Sequence, residues 1–258
     1  MKILSRPSCD GCAFLITDDQ RKPRFSLLLP EELLTNGFDR DDPVELLHIK
    51  PSVQTFDSVH CRASCRLDFA GVSYDSRISH REGELFDISI TVFNRSGQTL
   101  VSPTLDVCLG LCYDAPDGKW CNEEFMDAPP DANLSYFGKT WYTDVSIRRQ
   151  RALVGKKWIS IHPNPANPAL PENEYVRAFG ETDDCDCVAL ASRDHMRTVF
   201  TAWSGSCFYR QPFPGYFCMH SLPALPDLKD GDSVTVHGMC GIFDGNMEAL
   251  EEYLKAYL

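Results

Sequence analysis

Cys218 and His220 stand two positions apart late in the chain, and they are the residues best equipped for chemistry. On a strand such a pair faces the same way. An imidazole titrates near neutral pH and can move protons. Two readings compete: a thiol activated by a histidine base, or a buried thiol beside a histidine held by a structural hydrogen bond. The surrounding stretch, 204–226, also carries Arg210 and Tyr216, side chains able to hold a polar substrate. His162 is a second candidate, at the mouth of a loop with prolines at 163, 165, 168 and 171. Each proline fixes its own φ and pushes its predecessor toward extended geometry, so this loop is stiff. Asp127 lies in a third stretch, 113–140, with Asp114, Asp117, Glu123, Glu124 and Asp131. Carboxylates crowded in this way serve as an acid and base pair, bind a hard cation such as Ca²⁺, or simply solvate a loop. His195 reads as an exposed turn residue and His237 as a structural residue on a strand.

Trp120 and Trp141 fall in the same long stretch as Asp127. Flat aromatic faces pack on the CH groups of sugar rings, while neighbouring Asp, Asn, Arg and His take the hydroxyls. The ligand class favoured here is a carbohydrate or sugar-derived small molecule. The leading reading is an enzyme of lyase or hydrolase type, with His220, His162 and Asp127 as catalytic groups. Trp120, Trp141, Tyr216 and Arg210 would bind its substrate. The alternative is a non-catalytic carbohydrate-binding or protein-interaction module. Catalysis needs titratable groups that converge in one pocket, whereas binding needs only an aromatic platform with a polar rim. Residues 113–140, 162–174 and 204–226 are therefore expected to gather around one pocket at an end or edge of the fold.

Other motifs carry less. Cys9 and Cys12 have the spacing of a redox pair or half a zinc site, and Cys61 and Cys65, with His60 beside them, are the available partners. The looser second spacing leaves incidental cysteines as the plainer reading, and no metal is assigned. Gly138, Lys139 and Thr140 resemble the end of a phosphate-binding loop, but Asn133 stands where its first glycine belongs and Tyr136 and Phe137 crowd the loop. There is no HExxH, GxSxG or EF-hand loop, and no motif names a cofactor.

The formal net charge of −12 argues against nucleic acid, because binding a polyanion needs concentrated Lys and Arg. No apolar run approaches the roughly 20 residues that cross a bilayer, so no membrane is expected. The polar N-terminus lacks a signal peptide's apolar core. With no export signal, most of the 12 cysteines are expected to be reduced and the protein cytoplasmic.

Positioning these residues falls to strands. Residues 85–93 alternate polar and apolar side chains and end at the turn 94–97, while 187–193 and 198–203 read as a hairpin. Short strands recurring near every ten residues, with no helical pattern between them, predict an all-β fold: one antiparallel β-sandwich. The sandwich is expected over 61–245. An irregular, peripheral N-terminal layer is expected over 1–60, including a short helix from Pro30 that ends at Gly37. One C-terminal helix closes the chain over 246–258, with Met247, Leu250 and Leu254 on one face and Asp244 or Asn246 as its cap. The whole chain is expected to be a single domain.

Overall fold

The computed structural model describes residues 1–6, 9–34, 44–115, 118–125, 150–154, 157–160, 187–192, 194–204, 207–210 and 218–256. It describes the backbone alone at 112–115, 118–119, 121, 150–154, 157–160 and 207–210. In chain order the strands begin with β1 (Lys2–Ser5), β2 (Ala13–Thr17), β3 (Pro23–Leu34), β4 (Val44–Glu45), β5 (Val53–Asp57) and β6 (Arg62–Phe69). There follow β7 (Val72–Glu82), β8 (Glu84–Asn94), β9 (Thr104–Gly110), β10 (Cys112–Ala115), β11 (Gly118–Cys121) and β12 (Gln150–Val154). The last are β13 (Lys157–Ser160), β14 (Cys187–Ala191), β15 (Thr198–Trp203), β16 (Cys207–Arg210), β17 (Cys218–Pro223) and β18 (Ser233–Phe243), before helix α1 (Met247–Leu254).

Two antiparallel sheets face each other, as the period-two pattern requires. The larger has nine strands in the order β13-β12-β14-β15-β18-β8-β7-β6-β5, and the smaller has seven, in the order β1-β2-β3-β9-β17-β16 with β4 beside β3. Alternation shows why they stack. On β7, Val72, Tyr74, Ser76 and Ile78 are buried while Ser73, Asp75, Arg77 and Ser79 are not. Phe25, Leu27, Leu105, Val107 and Met219 of the smaller sheet share one core with Tyr74, Phe86, Ile88, Ile90 and Trp203 of the larger. Polar bonds pin the layers together inside that core. The Ser76 hydroxyl donates to the Leu29 carbonyl, and the Trp203 indole donates to Ser221 Oγ at 2.9 Å. Cys12 and Cys65 close a disulfide across the sandwich, with Cα atoms 5.6 Å apart.

The irregular layer expected over residues 1–60 takes a more regular form. β3 lies inside the smaller sheet, between β2 and β9, and β5 is an edge of the larger. The helix expected from Pro30 is strand as far as Leu34, with residues 35–37 outside the described residues. Pairing of Glu32, Leu33 and Leu34 with Asp106, Leu105 and Thr104 outweighs the local proline signal. The hairpin β14–β15 and the closing helix stand where expected, and Asn246 supplies the cap by accepting from the Ala249 amide. Leu250 and Leu254 pack on Phe200, Ala202 and Met239, on the face of the larger sheet turned away from the main core. So α1 covers half of that outer face. No helix among the described residues is long and apolar enough to cross a membrane.

Candidate functional site

His220 is where the smaller sheet concentrates its chemistry. Leu105, Val107 and Leu109 of β9 and Met219 of β17 point into the main core, so the alternate residues Asp106, Cys108, Cys218 and His220 must share the other face. Register completes the cluster. His220 pairs directly with Cys108, Cys218 with Gly110, and Leu28 of β3 lies on the far side of Cys108. A register shift in β3 between Leu28 and Glu32, of the kind a β-bulge makes, accompanies the approach of Glu31 to the same imidazole.

The geometry is ordered like a relay. Asp106 Oδ1 lies 2.8 Å from His220 Nδ1, and Cys218 Sγ lies 3.0 Å from His220 Nε2. Glu31 Oε2 stands 3.8 Å from the same Nδ1. That oxygen is buried and has no hydrogen-bond partner among the described residues. Burial disfavours a charged His220, but the Asp106 carboxylate, helped by Cys108, outweighs it and holds the histidine well above its usual pKa. Burial raises the Glu31 carboxyl above its ordinary value, against the pull of His220. Its hydrogen bond with Cys218, with burial, pushes the Cys108 thiol up as well. Cys108, Cys218 and His220 offer ligand atoms that all lie within 4.8 Å of one another, and so do Glu31, Asp106 and His220.

The other expected site residues divide. His162, Asp127, Trp141 and Tyr216 lie outside the described residues. Arg210 pairs with His220 in register across β16 and β17, although only its backbone is described. Trp120 belongs to the separate hairpin β10–β11, opposite Tyr113. Asp106, Cys108 and Glu31 were not foreseen. A signal was present, because a carboxylate in the apolar run 105–109 is a residue that buries only with a partner. The four cysteines considered for zinc do not share a site, since Cys12 and Cys65 are bonded to each other while Cys9 and Cys61 are free. Among the described side chains, Cys108, Cys218 and Cys240 are free thiols as well.

A second polar feature occupies the half of the larger sheet that α1 leaves open. There β5, β6, β7, β8 and β18 floor a groove of about 610 Å³. One row across it runs Thr55, Ser64, Arg77, Ser89 and His237, each paired in register with the next. A parallel row runs Asp57, Arg62, Ser79 and Asp87. His237, expected to be structural, is exposed here.

No protein-family model matches the chain, and no curated protein does. Among solved structures, a protein described as a kojibiose phosphorylase from human microbiome is similar over 98% of this chain, with a TM-score of 0.33 and 10% identity. The chain spans only about a quarter of that protein, 27% of its length.

Proposed function

We propose that this protein is a carbohydrate-directed β-sandwich that holds a neutral, polyhydroxylated ligand along the open groove of its larger sheet. The two in-register rows carry the reading. Strands lie about 4.8 Å apart, so a row across five strands presents polar groups over about 19 Å. Arg62, Asp75, Arg77, Ser79, Ser89 and His237 have hydrogen-bonding groups that no other described residue takes. The groove offers both guanidinium donors and carboxylate acceptors, since Arg62 and Arg77 line it with Asp57, Asp75 and Asp87. A sugar chain offers both kinds of group and no net charge. Titration calorimetry with a panel of neutral oligosaccharides tests this. Arg77→Ala and His237→Ala should each weaken binding about tenfold, as loss of one hydrogen bond from a charged or polar group does. Unchanged affinity in both variants, or binding confined to acidic sugars, would sink it.

One observation favours a second, catalytic reading. Asp106, His220 and Cys218 stand in the order of orienting carboxylate, base and thiol that covalent catalysis uses. On that reading His220 draws the proton from the Cys218 thiol while Asp106 holds the ring, in hydrolase- or lyase-type chemistry on a sugar-derived substrate. Site-resolved alkylation of chelator-treated protein is the check. Cys218 should react faster than the comparably exposed Cys9 and Cys61, and His220→Gln should remove that advantage. Equal rates at the three thiols would remove the catalytic reading.

A further inference from the structure

We propose that Cys108, Cys218 and His220 bind one thiophilic divalent cation, zinc by preference, with Asp106 fixing the imidazole from behind. Two sulfurs and one imidazole nitrogen form a donor set that suits zinc and other soft or borderline metals and is poor for Ca²⁺ or Mg²⁺. Zn–S bonds near 2.3 Å and Zn–N bonds near 2.0 Å imply donor separations of roughly 3.6–3.8 Å in a tetrahedral site. The three donor atoms lie within 4.8 Å of one another, and Cys218 Sγ and His220 Nε2 are 3.0 Å apart. Displacements under about 1 Å bring them onto one ion.

The scaffold holds the donors in place. Cys218 and His220 are alternate residues of β17, and Cys108 faces His220 from β9, so the backbone ladder sets all three. Orientation of the histidine is a second, separate observation. Nδ1 faces the Asp106 carboxylate at 2.8 Å, which leaves Nε2 as the ring nitrogen turned toward the thiols. Metal-binding histidines commonly have just such a carboxylate behind them. Two thiolates also neutralise a divalent ion, which burial favours. Three protein ligands leave a fourth position for water or ligand, the pattern of a catalytic rather than a closed structural zinc.

This inference goes beyond the sugar-binding reading and concerns the opposite sheet. It competes with the thiol-nucleophile reading of the same residues. Chelator-treated full-length protein, with free Cys108 and Cys218 confirmed by mass spectrometry, is titrated with Co²⁺ and then Zn²⁺. One Co²⁺ per chain should bind with the thiolate charge-transfer bands and intense visible bands of a tetrahedral site, and one Zn²⁺ should displace it. Cys108→Ser and Cys218→Ser should each remove part of the charge-transfer band. Cys240→Ala, which alters a buried thiol elsewhere, should leave it intact. Asp106→Asn should keep the band and weaken Zn²⁺ affinity about 10–100-fold. Should a serine variant fail to fold by circular dichroism, the wild-type band decides alone, its intensity corresponding to two thiolates. The proposal is overturned if the wild-type protein takes up no Co²⁺, if the band survives in folded Cys108→Ser/Cys218→Ser, or if the native protein carries a Cys108–Cys218 disulfide.

Discussion

Removing the disulfide between Cys12 and Cys65 should cost this protein a large part of its stability. The bond closes a loop of 53 residues between Cys12, directly before β2 of the smaller sheet, and Cys65 of β6 in the larger. With the chain-entropy relation, a loop of that length gives an entropy loss of about 14 cal/mol/K, or about 4 kcal/mol at 25 °C. Both half-cystines are buried, so a reductant reaches them only through prior opening. The double variant Cys12→Ala/Cys65→Ala is therefore the better perturbation, and it leaves no unpaired thiol. Urea unfolding followed by tryptophan fluorescence measures the result. For an m-value near 2–3 kcal/mol/M, the midpoint should fall by about 1.5–2 M. Thiol titration of the unfolded, unreduced protein should find these two cysteines oxidised. A midpoint shifted by less than about 0.5 M would show that the cross-link does not constrain the unfolded chain as supposed, and two reactive thiols at these positions would deny the bond itself.

Other expected outcomes follow from polar contacts. Arg197 bridges Glu84 and Glu124 at 3.1 Å each and reaches Asp244 at 2.6 Å, while Arg24 contacts the same two glutamates. Arg197→Ala should lower unfolding free energy by roughly 1–3 kcal/mol, an amount reduced in high salt, because the site is only partly buried. Ser221→Ala should cost about 1–3 kcal/mol in urea unfolding, since it leaves the buried Trp203 indole N–H without its 2.9 Å acceptor. Hydrogen bonds from the Ser52 and Ser73 hydroxyls hold Asp68 below the ordinary aspartate value of 3.8. A depressed folded pKa stabilises the protein above the unfolded value and loses that effect as pH falls through the folded one, so Asp68→Asn should flatten the acid limb of a melting-temperature profile.

Much of the larger sheet was legible because alternation is a local signal. Residues 85–93 read as a strand from their own pattern, and β8 covers them. The hairpin β14–β15 was marked by two apolar runs around a polar turn. Strand β18 runs on to Phe243, past the alternating residues 233–237, because Met239, Cys240, Gly241 and Ile242 are buried on both faces by the core and by α1. A strand covered on both sides loses its alternation, and with it the local signal.

By itself the sequence determined the all-β class, the closing helix with a cap at Asp244 or Asn246, and the shared face of Cys218 and His220. Each depends on periodicity or capping within a few residues. Only the tertiary structure decided what that face meets. Asp106 and Cys108 reach His220 across 114 and 112 positions of chain, through one antiparallel pairing of β9 with β17. Nothing in either segment specifies the other as its partner, because backbone hydrogen bonding is indifferent to side-chain identity. The register that sets Cys108 opposite His220, and the register that aligns Thr55 with Ser64, Arg77, Ser89 and His237, arise from burying the apolar faces of both sheets together. A slip of one residue would bury the polar row and expose the core, so the packing of the whole sandwich fixes where its chemistry lies.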